Sequence, residues 1–206
     1  MQTARMTAGV VALVAWAGLI LQFWIIVGNL GLGLAIWRFV GFFTILTNIG
    51  VASIATAIAI GSGNRLTTAK ARLMGLTSIA LVGLVYSLLL RSLWSPTGLQ
   101  KVADMTLHDV TPILFAALWL LMPHGELRWS DFKWALIPPA AYLGYAFARG
   151  AIDGWYAYWF LNPTTQTAGE LIISIVGVLA LFSIIAAGAI ALDRQLGKKT
   201  RLARAA

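Results

Sequence analysis

Long apolar segments, separated by short loops rich in helix breakers, restrict the fold of this chain more than any other feature. A helix of about 20 apolar residues crosses the hydrocarbon core of a bilayer, and in lipid the backbone must satisfy its hydrogen bonds internally. The 206-residue chain is 60% hydrophobic and only 11% charged, whereas a soluble domain carries about 25% charged residues. The sequence therefore predicts an all-α polytopic membrane protein that forms one domain over residues 1–206.

Six of these segments are predicted to be transmembrane helices. They cover approximately residues 7–27, 38–60, 73–94, 108–123, 134–152 and 169–192. The loops between them contain the breaker sequences GNLGLG, GSGN, SPTG and NP. The first segment also resembles a signal peptide, because Arg5 precedes it and an AWA sequence lies within it. Its apolar run is long enough to span, which favours an uncleaved first helix.

Basic residues are distributed unevenly between the two sides of this topology. Eleven of the 15 Lys and Arg residues lie on one side. The other four are Arg38, Arg91, Lys101 and Arg149. Because basic loops stay in the cytoplasm, both termini are predicted to be cytoplasmic, and loops 28–37, 95–107 and 153–168 to face outward. The net charge of +8 is then explained by orientation and contact with anionic lipid, so no nucleic-acid partner is predicted.

Three polar residues, Thr44, Thr47 and Asn48, lie together near the outer end of the second predicted helix. Thr44 and Asn48 share one face of that helix, and Thr47 lies close to it. Such a stripe is typical of helix packing in membranes, and it is also compatible with a hydroxyl nucleophile. For the second interpretation, Thr44 is the first candidate nucleophile, Thr47 is the second, and Asn48 is a candidate hydrogen-bond donor to an oxyanion.

His108 lies at the outer end of the fourth predicted helix, at the same depth as the polar stripe. An ionisable residue near a membrane span is a functional candidate, and a histidine can activate a hydroxyl nucleophile as its base. Asp104 and Asp153 both remain candidates for orienting the imidazole ring. The alternative is an interfacial histidine bonded to water or a loop carbonyl. His124 is predicted on the cytoplasmic side, where it cannot share a metal ion with His108.

Two arginines at the outer helix ends, Arg91 and Arg149, are candidates for binding a carboxylate or phosphate bidentately. Each is equally compatible with a side chain that extends to the interface at a helix end. Trp155 and Tyr156 follow Arg149 in an aromatic-rich loop and are candidate contacts to a lipid or part of an interfacial belt. The chain has no cysteine and no Gly-rich phosphate loop or HExxH motif. No metal or organic cofactor is therefore predicted.

Three segments carry a family resemblance when they are taken together. They are WRFVGFFTILTN at 37–48, LHDVTPIL at 107–114 and LRWSDFKWALIPPAAYLGYAFARGAIDGWYAYWFLN at 127–162. In order and spacing they resemble a bacterial six-pass family related to the eukaryotic androgen-induced membrane proteins, which are intramembrane threonine hydrolases of fatty acid esters of hydroxy fatty acids. His108, followed by Pro112, is similar to the histidine motif of that family. Thr44 lies on the helix face that carries the family threonine, one turn further on.

The resemblance implies an intramembrane lipid-ester hydrolase with a Thr nucleophile and a His base, in the bacterial inner membrane. Its partners would be membrane lipids and a lipid ester that enters from the outer leaflet, with Arg149 or Arg91 on the substrate carboxylate. Two alternatives remain open. One is a non-catalytic protein that binds or transports a lipid or small ligand in the same outer-leaflet pocket. The other is a partner subunit of a larger complex.

Overall fold

The computed structural model describes residues 2–205, with side chains for residues 2–199 and for Leu202. The described chain is all-α and contains no strand. Its helices are α1 (Gln2–Leu30), α2 (Leu32–Phe39), α3 (Phe43–Ile60), α4 (Ala69–Val85), α5 (Gly98–Met105), α6 (Thr111–Leu121), α7 (Phe132–Asp153) and α8 (Ala168–Ala205). A π-helical turn over Tyr86–Leu90 extends α4, and a second one over Thr106–Val110 joins α5 to α6.

Five stretches of helix are long and apolar enough to cross a membrane. They are Gln2–Leu30, Phe43–Ile60, Ala69–Leu93, Gly98–Leu121 and Ala168–Lys199. Large apolar side chains on their outer faces remain uncovered by protein, and Leu13, Ile173 and Ile184 are 69–74% exposed. Apolar surface of this extent is not tolerated in water, so the described helices are compatible with an integral membrane protein.

The segment predicted as the fifth of six spans is α7, which is 22 residues long. It is not among the five apolar stretches, because prolines, tyrosines, glycines and an arginine dilute its apolar residues. Pro138 and Pro139 both lie inside the helix. In the fold, α7 packs against α4 and α8, so it belongs to the bundle whatever its depth in the membrane.

Several predicted helix boundaries are wrong. The predicted loop 28–37 is largely helical, since it contains the end of α1 and most of α2, and α8 continues beyond the predicted end at residue 192. Two further corrections affect the site. The predicted helix 38–60 is broken at residues 40–42, so Arg38 lies in the last turn of α2, whereas Thr44 lies in the first turn of α3. The predicted loop 95–107 is largely helical, because α5 begins at Gly98 and continues without interruption into α6. His108 therefore lies in the middle of a 24-residue helical stretch rather than at its entrance.

The break before α3 is stabilised by side chains of α7. The carbonyl oxygens at the end of a helix lack partners within the helix. Here the guanidinium of Arg149 donates to the Trp37 carbonyl, and the hydroxyl of Tyr145 donates to the Val40 carbonyl at 3.1 Å. Tyr142 donates to the Gly41 carbonyl at 2.9 Å. These bonds satisfy the end of α2 and allow the chain to turn into α3.

Gly41 is required at this corner because the residues around it leave no room for a side chain. A Cβ atom there would lie 2.6 Å from a ring carbon of Trp155 and 2.8 Å from a guanidinium nitrogen of Arg149. We expect Gly41→Ala to destabilise the protein by about 1–3 kcal/mol, the usual cost of overpacking. Thermal unfolding in detergent, followed by circular dichroism, measures the effect.

Gly50→Ala is the matched control, because a Cβ atom at Gly50, also in α3, meets nothing within 4 Å. There the change should be neutral or stabilising, since alanine is the better helix former by about 1 kcal/mol. Equal melting temperatures for the two variants would contradict the packing role given to Gly41.

Candidate active site

Thr44 lies in the first turn of α3, with its side chain buried. Phe42 precedes α3 in an extended conformation and provides no side-chain cap, so the first amide groups of the helix need partners from elsewhere. The Thr44 N–H finds one in the hydroxyl of Tyr158, at 3.2 Å. The same hydroxyl lies 3.3 Å from Thr44 Oγ1. Tyr158 therefore fixes both the backbone and the hydroxyl of Thr44.

His108 faces Thr44 from the neighbouring helical stretch, with Nε2 3.4 Å from Thr44 Oγ1. Its other ring nitrogen, Nδ1, lies 3.2 Å from a carboxylate oxygen of Asp104 and 3.0 Å from the Asp104 carbonyl. Both of these partners are acceptors, so Nδ1 carries the proton and donates it. This tautomer leaves Nε2 as an acceptor for the Thr44 hydroxyl.

Asp104 is the residue that orients His108, which resolves the choice left open by the sequence. Because α5 begins at Gly98, residues 104 and 108 lie about one turn apart in one helical stretch. The second oxygen of the Asp104 carboxylate accepts a hydrogen bond from Tyr86. The Tyr86 ring also stacks on the imidazole, with a centroid distance of 4.0 Å and an interplanar angle of 16°. The imidazole ring is thus held at one edge by the Asp104 carboxylate and on one face by the stacked Tyr86 ring.

Tyr86 and His108 both lie in π-helical turns, and the two turns contact each other through these rings. A π turn accommodates one extra residue in a helix, is rare, and occurs frequently at functional sites. Its presence in both helical stretches at the point where they meet supports a functional assignment for this part of the bundle.

The Thr44 cavity, as we name the opening onto which Thr44 and His108 face, has a volume of about 530 Å³. That volume is within the range of small-molecule sites. Its walls are mainly apolar, and a hydrogen bond of 2.9 Å between Gln100 and Gln22 crosses one of them. On the other side of Thr44, a narrow apolar slot of about 70 Å³ lies between α4, α7 and α8. The hydroxyl of Thr44 therefore stands between a large cavity and a narrow apolar one.

Arg38 is the arginine that lines the Thr44 cavity. It pairs with Asp153 at 3.2 Å, and its guanidinium lies over the Trp155 ring at 4.3 Å from the centroid. Asp153, the alternative partner considered for His108, is held here instead. Hydrogen bonds from the Trp37 indole, at 2.7 Å, and from the Trp155 N–H lower the pKa of its carboxyl group. No feature of the local sequence distinguishes Arg38 from Arg91 and Arg149 as a cavity residue.

The two arginines proposed from the sequence lie outside the cavity wall. Arg149 is buried between the Trp37 carbonyl and the Tyr145 hydroxyl, with its guanidinium 4.0 Å from the Trp37 ring centroid. Arg91 pairs with Asp109 and covers the outer face of the Tyr86 ring. Neither arginine lines the cavity. Their contacts show that Arg149 stabilises the corner at α2 and that Arg91 supports Tyr86.

The other predicted site residues are divided between the cavity and the packing around it. Trp155 lines the cavity. Tyr156 packs against Gly150 and the Phe147 ring instead. Tyr158, from the same aromatic-rich loop, folds inward onto Thr44. A hydrogen-bonding role for that tyrosine has no signal in the local sequence.

Thr47 and Asn48 do not face the Thr44 cavity. Thr47 borders a separate opening between α3, α4 and α7. The Asn48 amide is fully buried and donates to the carbonyls of Thr44, at 2.8 Å, and of Leu107, at 3.2 Å. The bond to Thr44 lies within α3, and the bond to Leu107 connects α3 to the π turn that carries His108. Asn48 aligns the two helices that carry the candidate nucleophile and base.

No three His, Asp or Glu side chains within the described residues are arranged to hold a metal ion. The side chains that meet at the site provide a hydroxyl, an imidazole, a carboxylate and two phenols. Comparison of the chain with protein-family models, with curated proteins and with solved structures gives no match.

Proposed function

We propose that this chain is an intramembrane hydrolase of lipid esters, with Thr44 as nucleophile and His108 as base. The observation that carries the proposal is the connected series Thr44 Oγ1, His108 and Asp104, joined at 3.4 and 3.2 Å beside an apolar cavity. A hydroxyl, a base and a group that orients the base are the three parts of a hydroxyl-nucleophile site. The resemblance of the three sequence segments to the threonine hydrolases supports the same reaction.

The proposed reaction has two halves. In the first, Thr44 Oγ1 attacks the ester carbonyl carbon while His108 Nε2 takes the hydroxyl proton. The bond to the leaving alcohol then breaks, and the same proton passes to that alcohol, which leaves an ester on Thr44. In the second half, water gives a proton to His108 and attacks this ester, and the proton returns to Thr44 as the free fatty acid leaves. Asp104 stabilises the imidazolium formed in each half.

Tyr158 is our candidate for the donor to the oxyanion, in place of Asn48. Its hydroxyl accepts from the Thr44 N–H, so its own proton is available on the side of the nucleophile. Burial raises the pKa of Tyr158, which keeps this proton in place at neutral pH. A single oxyanion donor contributes about 3–4 kcal/mol where it has been measured.

The substrate class that we propose is fatty acid esters of hydroxy fatty acids, or lipids of similar form. The mainly apolar Thr44 cavity suits an acyl chain of such an ester. No metal or organic cofactor takes part in the proposed reaction. Arg38, at the cavity wall, is the candidate for the free carboxylate.

We further propose that α7 is the sixth span and that both termini are cytoplasmic, in the inner membrane of a bacterium. The distribution of basic residues supports this orientation, and α7 is long enough to cross at 1.5 Å per residue. The Thr44 cavity then opens toward the outer leaflet, where a lipid substrate enters from the bilayer.

The first test is hydrolysis by the purified protein in detergent, with a palmitic acid ester of hydroxystearic acid as substrate and product acids measured by mass spectrometry. Turnover by the wild type, together with covalent labelling by a fluorophosphonate, is the expected result. A folded wild type without turnover or labelling on several lipid esters would reject the hydrolase. The alternative would then be a protein that binds or transports lipid in the same cavity.

Arg38→Gln should raise KM by about ten-fold for a substrate with a free carboxylate, because a hydrogen bond to a charged group contributes about 1.5–3 kcal/mol. The KM for the corresponding methyl ester should not change. Arg91→Gln is the matched control, since Arg91 does not line the cavity. If Arg38→Gln affected both substrates equally, the proposed contact with the carboxylate would be wrong.

A further inference from the structure

A second large cavity, of about 950 Å³, lies at the opposite end of α3 from Thr44. Gly61, which follows the last residue of α3, is in its wall. The 18 residues of α3 span about 27 Å at 1.5 Å per residue, which is close to the thickness of a hydrocarbon core. This cavity therefore lies at the other membrane face, in the proposed orientation the cytoplasmic one.

All ionisable side chains that line this second cavity are basic. They are Arg5, Arg72, His124 and Lys199. No carboxylate is among its described lining residues. We call it the basic pocket. Its remaining wall is mostly apolar and comes from the ends of α3 and α6.

Two acids, Asp193 and Glu126, lie near the basic pocket but do not line it. Asp193 accepts from the backbone N–H groups of Gly125 and Leu127, at 3.0 Å each, and from His124 at 3.2 Å. Asp193 thus pairs with one of the four basic lining residues, His124, and its charge also acts on Arg72. Glu126 is exposed and borders a surface depression with Lys70 and Arg128 instead.

The two arginines of the basic pocket are positioned by neutral acceptors. Arg5 donates to the Ala59 carbonyl at 3.3 Å, and Arg72 donates to the Pro123 carbonyl at 3.2 Å. Carbonyl groups hold a guanidinium in place but leave its full charge. Lys199 has no ionic partner among the described side chains. Arg5 and Lys199 thus provide positive charge that pairs with no carboxylate among the described side chains, whereas His124 is paired with Asp193.

We propose that the basic pocket binds a phosphate group, carried either by a membrane phospholipid or by a free phosphate. Arginine provides paired donors that match phosphate oxygens, and lysine adds a mobile point charge. Basic pockets between helices at the cytoplasmic face bind lipid headgroups for this reason. The apolar part of the wall suits the glycerol and acyl carbons of a lipid. This site is independent of the proposed hydrolysis at Thr44.

Native mass spectrometry of the full chain in neutral detergent tests the site with three probes. They are dioleoyl phosphatidylglycerol, dioleoylglycerol, which lacks the phosphate, and inorganic phosphate. Binding of phosphatidylglycerol but not of dioleoylglycerol is expected. If inorganic phosphate also binds, the ligand of the pocket is a free phosphate. If only phosphatidylglycerol binds, the ligand is a lipid headgroup. Binding of neither phosphate probe would overturn the proposal.

A pair of neighbouring lysines provides the matched variants. Lys199 lines the basic pocket, whereas Lys198 is exposed and does not. Lys199→Gln should weaken binding of the phosphate probe about five-fold, the effect of one basic residue at a membrane surface, and Lys198→Gln should change it less than two-fold. Equal effects of the two variants, or unchanged binding in Lys199→Gln, would show that the probe binds elsewhere and overturn the assignment. Neither lysine is buried, so the fold is retained in both variants.

Discussion

Thr44→Ala is expected to reduce hydrolysis of the ester substrate by about 10⁴–10⁶-fold, as removal of a nucleophile does in a hydroxyl–histidine enzyme. The hydroxyl is lost, but the backbone N–H that bonds Tyr158 remains, so the corner between α2 and α3 keeps this contact. The rate of fatty acid release by purified variants, together with peptide mapping of the fluorophosphonate adduct, measures the effect. The adduct should lie on Thr44 and disappear in Thr44→Ala.

Thr47→Ala serves as the control for Thr44→Ala. Thr47 lies one turn along the same helix, has the same side chain and borders a different opening. Its replacement should leave turnover within about two-fold of the wild type. The substitution changes packing contacts at that opening, and Thr47 takes no part in the proposed reaction. Loss of activity in Thr47→Ala with retention in Thr44→Ala would transfer the nucleophile to Thr47 and reject the assignment made from the geometry.

His108→Gln is expected to lower kcat by about 10⁴-fold, because the attacking hydroxyl loses its base. Glutamine preserves the approximate length of the side chain but cannot take the proton. Binding of a non-hydrolysable amide analogue of the substrate should change little, since the apolar walls remain. A fall in both kcat and the rate of fluorophosphonate labelling, with unchanged melting temperature, is the expected combination. Normal labelling in His108→Gln would mean that Thr44 does not depend on the histidine.

The neighbouring carboxylates Asp104 and Asp109 allow a matched test of how His108 is held. Asp104→Asn removes the charge beside Nδ1 but leaves the Asp104 carbonyl at 3.0 Å, which still selects the same tautomer. We therefore expect a fall in kcat of about 10²-fold, smaller than the 10⁴-fold loss that accompanies a wrong tautomer. Asp109→Asn breaks the pair with Arg91 and should leave kcat nearly unchanged. Equal effects of the two variants would contradict an orienting role for Asp104.

The all-α character and the positions of the apolar helices follow from the sequence, because segment length and hydropathy are local properties. The break at residues 40–42 does not. It depends on Tyr142, Tyr145 and Arg149, which reach the carbonyls of α2 from more than 100 residues further along the chain. A local pattern of apolar residues contains no information on such distant hydrogen bonds. The early start of α5 was missed for a related reason, since GLQKVADM has low hydropathy although it is helical.

The proximity of Thr44 and His108 was predictable from their common depth, although His108 lies in the middle of its helical stretch and not at its end. Tyr158 and Arg38 were not predictable, because each belongs to a segment whose course is determined by tertiary contacts. Arg91 and Arg149 were equally suitable from the sequence for binding a carboxylate, but in the fold they make structural contacts instead. An arginine side chain has the same donors in a cavity wall and on a helix end, so residue type alone does not distinguish these roles.

The facing π turns at 86–90 and 106–110 have a consequence for how related chains should be compared. A π turn contains one residue more than an α turn, so a relative with ordinary α turns at these places is shorter by one residue in each segment. Deleting one residue rotates the helix on one side of the deletion by about 100° relative to the other side. The tyrosine and the histidine would then no longer point toward each other. Segment length at these two points therefore distinguishes chains that can assemble the site from chains that share only the bundle.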